Sequence, residues 1–352
     1  MQQNSHRENI NIELENFLLK IIDTENNPIL KSHYLKIRDF VMRDGKRIRP
    51  LISLMCYKSI RGVIPESIML PVLSAELLHA GTLIQDDIMD EDELRRNEPS
   101  MHKVMADVFL SDYYSKCTEG NIFKEPALRF GVSVAILHGN ILFSLGEKCI
   151  FDAGISKKAK EKVLVGYNKT LKTVNEGQIL DITFALMQDI GEEEYLDMVT
   201  RKTSALFEYS ALSGAFLADG SEGQCTILQE LSRCLAIAFQ IRDDIIDLTD
   251  PSLKGHLPGS DIKKGNMTLP IICAIKNSNH EQRKILDKVL CVNSADEIDI
   301  QNAIGIIKDT GAIKISERIS KREINKAKAI LNINKDKFKD LSFFNDLYRG
   351  II

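Results

Sequence analysis

Two segments of the chain repeat the pattern Asp-Asp-x-x-Asp. Their aspartates are Asp86, Asp87, Asp90, Asp243, Asp244 and Asp247. On a helix, residues four positions apart lie on the same face, with Cβ atoms roughly 5–6 Å apart. Each segment therefore brings two carboxylates together on one face, while at least one neighbouring carboxylate points partly aside.

Each pattern follows an almost wholly apolar stretch. Carboxylates beside an apolar face repel one another and lose hydration unless cations neutralise them. Magnesium suits this role because it binds hard oxygen ligands and is typically held by one or two carboxylates plus substrate phosphates. For one pattern alone, an acidic helix end on the surface is an equal alternative. Two patterns favour metal binding, and two facing clusters could hold a diphosphate through bridging metal ions.

Basic residues accompany the acidic clusters, either shortly after each cluster or about forty residues before it. They are Lys46, Arg47, Arg49, Arg95, Arg96, Lys202 and Lys254. Any one of them alone is typical of a surface charge. Charge-assisted hydrogen bonds from such groups are strong contacts for phosphate oxygens. Together with the aspartates, they predict a protein that binds two polyphosphate groups.

Helical periodicity dominates the chain. Apolar residues at three- and four-residue spacing predict helices over 10–22, 29–43, 66–89, 127–151, 158–187, 192–218, 223–249, 267–277, 281–291 and 296–309. Alternating runs typical of hairpins are hard to find, and no repeat or low-complexity linker divides the sequence. These patterns predict an all-α fold with one domain over residues 1–352. The polar stretch at 110–126 resembles an insertion and is predicted to be a surface loop without an assigned function.

Composition and charge exclude several classes of protein. The 352 residues carry a net charge of −4, which argues against nucleic-acid binding. The polar N-terminus predicts no signal peptide, and the apolar stretch at 204–218 is too short for a transmembrane segment. Seven scattered cysteines without a C-x-x-C pair indicate reduced thiols in a cytoplasmic protein. The Lys-rich stretch at 321–340 is predicted to be a solvated helix face.

Several motifs together identify a family. Over residues 30–350 the chain resembles the trans-isoprenyl (polyprenyl) diphosphate synthases, through motifs that occur in the family's order. They are GKRIRP at 45–50, AELLHAGTLIQDDIMD at 75–90, RR at 95–96, EGQILDI at 176–182, RKTSALF at 201–207, FQIRDDIID at 239–247 and GSDIKKGNMTLP at 259–270. The resemblance implies a bundle of antiparallel helices around a deep central cavity, assembled as a homodimer.

The resemblance also implies roles for the acidic residues. Three magnesium ions, with manganese as a substitute, would be held by Asp86, Asp90 and Asp243. The remaining aspartates would act through metal-bound water and support; they are Asp87, Asp244 and Asp247. The metal ions would hold an allylic diphosphate, whose condensation with isopentenyl diphosphate is the family's reaction.

Further residues are implied to contact the two substrates. Those at the allylic diphosphate and the reacting ends are Arg95, Lys202, Thr203, Phe239, Gln240 and Lys254. Those at isopentenyl diphosphate are Lys46, Arg49, His79 and Arg96. Ionisation of the allylic C–O bond would leave a carbocation that the Phe239 ring can stabilise by cation–π attraction. In the family's usual account the proton is then lost to the departed diphosphate, so no separate general base is expected.

The chain departs from the family pattern at three positions. Asn140 stands where a carboxylate is frequent, and Asn266 replaces a lysine that often contacts the allylic diphosphate. Asn97 replaces the usual glycine after the arginine pair. The Asn266 departure leaves one common contact unfilled, although some medium-chain synthases share it.

Product length depends on the helix that carries the first cluster. Farnesyl-type enzymes usually place an aromatic residue five or four positions before the first aspartate, where this chain has Gly81 and Thr82. Gly81 is expected to face an open cavity, which Leu78 would close only partly. These small residues predict a geranylgeranyl or longer product. Two rival functions are a class I terpene cyclase and a non-catalytic subunit of a heteromeric synthase; both are disfavoured by the two intact aspartate clusters.

Overall fold

A computed structural model of the chain describes residues 2–113, 120, 122–187, 189–250, 258–290 and 296–351. Its first seven helices are α1 (Gln2–Thr24), α2 (Pro28–Met42), α3 (Ile48–Arg61), α4 (Met69–Met89), α5 (Met101–Asp112), α6 (Pro126–Asp152) and α7 (Lys157–Phe184). Between α4 and α5 lie the two-residue strands β1 (Leu94–Arg95) and β2 (Glu98–Pro99), which pair as an antiparallel hairpin.

The remaining helices follow in chain order. They are α8 (Glu192–Val199), a π-helical turn (Thr200–Ser204), α9 (Ala205–Leu217), α10 (Glu222–Thr249), α11 (Ser260–Lys264), α12 (Leu269–Asn277), α13 (His280–Leu290), α14 (Glu297–Asp309), α15 (Ala312–Asn334) and α16 (Ser342–Ile351). The all-α prediction is confirmed. Each of the ten predicted segments contains a helix, whereas the hairpin and the π-helical turn were not anticipated.

The chain packs into two compact units. Unit 1 comprises residues 1–54 and 64–167, and unit 2 comprises residues 55–63 and 168–352. The first aspartate cluster therefore belongs to unit 1 and the second to unit 2. The single domain expected from the sequence remains a prediction.

In unit 1, α4 is a core helix that packs against α6. Gly81 on α4 lies against the Gly139 carbonyl of α6, and Gln85 lies one turn further along, beside Gly139 and Asn140. A Cβ atom at Gly81 would approach the Phe143 ring to 2.5 Å. The expectation that Gly81 faces an open cavity is therefore wrong, because the Phe143 ring occupies the space beside it.

Two helices of unit 1 are long and apolar enough to cross a membrane by length and composition alone. In the first, Glu66–Met89, 67% of the apolar stretch is buried, as expected of a core helix. In the second, Pro126–Asp152, only 39% is buried. Four exposed apolar side chains lie on this second helix: Leu128, Ile136, Leu137 and Phe151. Helix α6 thus presents an apolar surface that unit 1 does not cover.

In unit 2, α10 carries the second aspartate cluster close to its C-terminal end. The helix begins with a capping box, in which the Ser221 hydroxyl accepts from the Gln224 backbone and the Gln224 side chain accepts from the Ser221 backbone. Ile241, Ile245 and Leu248 follow at helical spacing and are buried in the core of unit 2. This packing fixes the orientation of the final turns of α10, where the aspartates lie.

The described cysteines are buried thiols without a disulfide, as the sequence predicted. They are Cys56, Cys149, Cys225, Cys234 and Cys273. Burial raises the pKa of Cys234 to about 11, and burial also raises the pKa of Cys149. The Cys149 and Cys234 thiols are therefore protonated at neutral pH and poor nucleophiles.

Candidate active site

The first aspartate cluster ends α4. Asp86 and Asp90 are partly exposed, whereas Asp87 is completely buried. Burial raises the pKa of Asp87 to about 6, although the neighbouring Arg95 opposes that shift. One oxygen of Asp87, Oδ2, is buried without a hydrogen-bond partner among the described residues. The cluster thus combines two partly exposed aspartates with one fully buried aspartate, although Oδ1 of Asp86 is also buried.

Arg95 holds the buried carboxylate. Its Nε donates to Asp87 Oδ1 at 2.6 Å, and its Nη2 donates to the same oxygen. The same guanidinium lies 3.9 Å from Asp86 and 3.7 Å from Asp92. Arg95 was predicted from the sequence to contact substrate, and the structure places it at the carboxylates of the first aspartate cluster.

The hairpin that carries Arg95 explains one departure from the family pattern. Arg96 and Asn97 form its two-residue turn, with φ values of 58° and 61°. A turn with two left-handed residues matches the twist of short hairpins, and Asn tolerates this conformation better than most residues. Asn97 therefore performs the conformational role of the usual glycine.

Next to this hairpin, unit 1 forms a small pocket rich in guanidinium groups. It is lined by Phe40, Val41, Arg43, Arg47, Glu76, His79, Ala80, Leu83, Arg95 and Arg96. Four arginines face one carboxylate, so the pocket favours an anion. Of the residues predicted to contact isopentenyl diphosphate, His79 and Arg96 line the pocket, whereas Lys46 is exposed nearby in sequence.

Burial and nearby arginines lower the pKa values of two titratable groups in this region. The pKa of His79 lies well below its usual value, because of burial and because Arg49 and Arg96 lie nearby. The imidazole is therefore neutral and can both donate and accept a hydrogen bond. Burial lowers the pKa of Arg49 to about 10, which still leaves it charged at neutral pH.

Arg47 and Glu76 form the buried support of this pocket and were not identified from the sequence as a pair. Arg47 Nη1 donates to Glu76 Oε1 at 2.6 Å, and Arg47 Nε donates to Asn11 Oδ1 at 2.8 Å. Arg43 was also missed, although it stands only two residues before the GKRIRP motif. A Cβ atom at Gly45 would come within 2.8 Å of the Arg96 guanidinium, so glycine leaves room for that side chain.

The second aspartate cluster repeats the division between accessible and buried carboxylates. Asp243 is partly exposed, whereas Asp244 and Asp247 are 4% and 1% exposed. Burial raises the pKa of Asp244 to about 7, with a further contribution from Asp261. Asp247 Oδ2 accepts a hydrogen bond from the Asp261 backbone at 3.2 Å. This bond ties the cluster to the start of α11.

A chain of hydrogen bonds leads away from the buried Asp244. Tyr195 donates its hydroxyl proton to Asp244 Oδ2 at 2.5 Å, and Gln240 Nε2 donates to Asp244 Oδ1 at 2.9 Å. The Thr203 hydroxyl donates to Gln240 Oε1 at 2.9 Å. Beside them, the Phe239 and Phe207 rings pack with their centroids 6.0 Å apart. The structure therefore brings Thr203, Phe239 and Gln240 together with the second cluster.

Lys202 lies on the π-helical turn, a distortion that often marks functional sites. Its ammonium donates to Asp181 Oδ2 at 2.6 Å. One turn before Asp181 on α7, a Cβ atom at Gly177 would lie 2.2 Å from the Lys202 backbone nitrogen. The EGQILDI motif thus contributes Asp181, whose carboxylate binds the Lys202 ammonium, and Gly177, which leaves room for the Lys202 backbone.

Two residues discussed from the sequence form hydrogen bonds with side chains outside the two aspartate clusters, and a third is not described. Asn140 accepts a hydrogen bond from Gln85 at 3.2 Å. Asn266 donates to Asp261 Oδ1 at 3.2 Å, so it holds a carboxylate that the sequence reasoning missed. Lys254 lies outside the described residues.

The donor set of the aspartate clusters fits magnesium. Among the described residues, no three histidines, cysteines, aspartates or glutamates are placed to hold one ion. Magnesium does not require such a cage, because it is commonly held by one or two carboxylates, waters and substrate phosphates. Asp86, Asp90 and Asp243 are the accessible carboxylates of this kind. The buried unpaired oxygen of Asp87 adds negative charge that a nearby cation would balance.

Comparison with known proteins decides the family. The Polyprenyl synthetase profile matches residues 31–307. The chain belongs to the polyprenyl synthetase family. A short chain isoprenyl diphosphate synthase of Methanothermobacter thermautotrophicus is 32% identical over 82% of this chain and 80% of its own length. A geranylgeranyl diphosphate synthase of Sulfolobus acidocaldarius is 30% identical over 88% of this chain and 90% of its own length.

Solved structures agree with this polyprenyl synthetase assignment. The geranylgeranyl pyrophosphate synthase of Corynebacterium glutamicum, complexed with isoprenyl diphosphate and magnesium, superposes with a TM-score of 0.85 at 25% identity. That comparison covers 98% of this chain and 96% of the Corynebacterium chain. The all-α fold is therefore the fold of this family.

Gly177→Ala tests the close backbone contact at Lys202 in this polyprenyl synthetase. The added methyl group would collide with backbone atoms that cannot move independently, and overpacking of this kind costs about 1–3 kcal/mol of unfolding free energy. We expect thermal denaturation to show a lower midpoint.

The matched control is Gly305→Ala on α14, where an added Cβ atom meets no atom within 4 Å. Because alanine favours a helix over glycine by about 1 kcal/mol, this variant should be neutral or more stable. Equal effects of the two substitutions would contradict the steric role of Gly177.

Proposed function

We propose that the chain is a magnesium-dependent prenyltransferase that joins an allylic diphosphate head to tail with isopentenyl diphosphate. The observation that carries this proposal is the pairing of carboxylates with guanidinium groups in unit 1. The accessible Asp86 and Asp90 lie a few residues from Arg95 and from the arginine pocket. Carboxylates of this kind suit a metal-bound diphosphate, whereas the arginine pocket suits a diphosphate bound without metal.

Asp86, Asp90 and Asp243 are the proposed magnesium ligands, and Asp87, Asp244 and Asp247 are proposed to support them. The burial of the three supporting carboxylates and the exposure of the three ligands support this division. When bound, magnesium supplies positive charge that stabilises the diphosphate as a leaving group. Three ions are proposed by family resemblance, with manganese as a substitute.

The chain's own groups are proposed to orient the allylic substrate. Lys202, held by Asp181, adds a fixed positive charge for the diphosphate. After the allylic C–O bond breaks, the Phe239 ring stabilises the positively charged carbon. The Thr203 hydroxyl donates its hydrogen bond to Gln240, so its oxygen lone pairs remain available as acceptors.

The arginine pocket is proposed to bind isopentenyl diphosphate, through Lys46, Arg49, His79 and Arg96. The low pKa of His79 supports a neutral imidazole that donates a hydrogen bond to a phosphate oxygen. We add Arg43, because it lines the same pocket. The double bond of the bound substrate attacks the allylic carbon, a C–C bond forms, and the product loses a proton to the departed diphosphate.

Two rival functions are disfavoured. A class I terpene cyclase has no use for a second diphosphate, whereas this chain has an arginine pocket beside its first aspartate cluster and an intact second cluster. A non-catalytic subunit typically loses one aspartate cluster, and both clusters are intact in this chain.

A cytoplasmic homodimer is proposed as the working form. The exposed apolar side chains of α6, including Ile136, Leu137 and Phe151, support an interface with a second copy of the chain. Buried thiols without disulfides support a reducing compartment. One domain over residues 1–352 is proposed for each subunit.

Metal dependence tests the proposed function first. Asp86→Ala and Asp243→Ala should each lower turnover by several orders of magnitude, because departure of the diphosphate depends on metal charge. Excess chelator should abolish activity, and added magnesium should restore it. Steady-state assays with both substrates measure these effects.

Asp287→Ala is the matched control, since Asp287 pairs with Arg283 at a partly exposed site on α13. Its activity should equal that of the wild type. Undiminished turnover in Asp86→Ala, Asp243→Ala or chelator would rule out the metal-dependent reaction.

The two substrates should respond differently to changes near the arginine pocket. Lys46→Ala and Arg49→Ala should each raise the KM for isopentenyl diphosphate about tenfold or more, while the KM for the allylic diphosphate changes little. Each lost charge-assisted contact is worth about 1.5–3 kcal/mol. Lys284→Ala, which removes an exposed lysine paired with Glu281, should alter neither constant. Equal increases for both substrates would show that the pocket is assigned to the wrong diphosphate.

Product length is proposed to depend on Phe143. Its ring occupies the space beside Gly81, one of the two positions at which the family resemblance implies an aromatic side chain in farnesyl-type enzymes. Phe143→Ala should therefore lengthen the product by one or more isoprene units, as product chromatography would show. Phe130→Ala, which removes a ring packed on Phe109 of α5, is the control and should leave the length unchanged.

Gly81→Phe is a poor alternative test, because its side chain would collide with the Phe143 ring. An unchanged product from folded Phe143→Ala would mean that the growing tail does not pass this ring. Leu78 and Thr82 would then remain the proposed length-determining positions on α4.

A further inference from the structure

Tyr195 is a buried tyrosine whose hydroxyl meets a carboxylate of the second aspartate cluster. It lies on α8, is 1% exposed, and donates to Asp244 Oδ2 at 2.5 Å. The other oxygen, Oδ1, accepts from Gln240. The only further donor recorded for Asp244 among the described residues is the Leu269 backbone, at a long 3.5 Å. Tyr195 therefore supplies one of the two short hydrogen bonds that orient this carboxylate.

The hydrogen bonds of this chain have fixed directions. A tyrosine hydroxyl facing a carboxylate must donate, and a Gln240 amide that donates to Asp244 must turn its oxygen towards Thr203. The Thr203 hydroxyl consequently donates to Gln240. The orientation of Thr203 on the π-helical turn thus depends on Asp244, and the orientation of Asp244 depends on Tyr195.

We propose that Tyr195 is a positioning residue for the prenyl transfer, which acts by holding Asp244 and, through Gln240, Thr203. This inference rests on the proposed function. Loss of the hydroxyl would leave Asp244 free to rotate towards Asp243, with which it shares the end of α10. The Asp243 carboxylate and the Thr203 oxygen would then no longer keep their positions relative to each other. Tyr195 itself is buried and does not touch substrate, so binding of the prenyl substrates should change little.

Tyr195→Phe removes only the hydroxyl. Tyr167→Phe is the matched control, because Tyr167 is also fully buried in a helix and donates one hydrogen bond at 2.7 Å, to the Phe143 carbonyl. Both variants should lower the thermal midpoint, Tyr195→Phe by at least as much as Tyr167→Phe. Loss of a hydrogen bond to a charged group corresponds to about a ten- to hundredfold decrease in rate. We expect that decrease in kcat for Tyr195→Phe, with both KM values within about twofold, and kcat within about twofold of wild type for Tyr167→Phe.

A second measurement does not depend on catalysis. Magnesium with inorganic diphosphate should raise the thermal midpoint of the wild-type protein, because ligands that bind only the folded state stabilise it. Tyr195→Phe should require roughly tenfold more magnesium for the half-maximal rise, whereas Tyr167→Phe should match the wild type.

Equal kcat values and equal magnesium requirements in the two variants would overturn the positioning role. A wild type that takes up magnesium and diphosphate but does not extend a prenyl chain would instead overturn the proposed function. In that case, the magnesium titration would still decide whether Tyr195 orients the second cluster.

Discussion

The structure depends on how it tolerates carboxylates at the ends of two apolar helices. In each cluster the middle aspartate is buried and is held by a dedicated donor. Arg95 holds Asp87, whereas Tyr195 and Gln240 hold Asp244. A buried carboxylate is costly unless it is paired or hydrogen-bonded, so these donors are required by the position of the aspartates. The buried carboxylate is thus stabilised by a charged donor in unit 1 and by neutral donors in unit 2.

The same constraint explains the accessible aspartates. Because the middle carboxylate is anchored inwards, helical spacing turns Asp86 and Asp90 towards solvent at the end of α4, and Asp243 is turned outwards on α10. Asp181 similarly anchors Lys202, and Gly177 admits the backbone of the π-helical turn. The groups proposed to bind metal and substrate are therefore oriented by neighbouring residues that do not themselves bind them. Such support is a general requirement of pre-organised sites.

Sequence reasoning succeeded where the signal is periodic or local. The apolar spacing located the long helices, and the Asp-Asp-x-x-Asp pattern located both clusters because its residues lie within one helical turn. It failed where the partner is distant in sequence. Tyr195 precedes Asp244 by 49 residues, and nothing in the local sequence around either residue indicates the pair. The Phe143 ring beside Gly81 comes from another helix, so the sequence of α4 alone wrongly suggested open space.

The most direct measurement incubates the wild-type protein with magnesium, labelled isopentenyl diphosphate and each allylic diphosphate in turn, followed by product chromatography. The account predicts label in a linear prenyl diphosphate, with isopentenyl diphosphate consumed. Conversion of an allylic diphosphate to a hydrocarbon without uptake of label would contradict it and indicate a cyclase. A complete lack of turnover with every primer would contradict it in favour of a non-catalytic subunit.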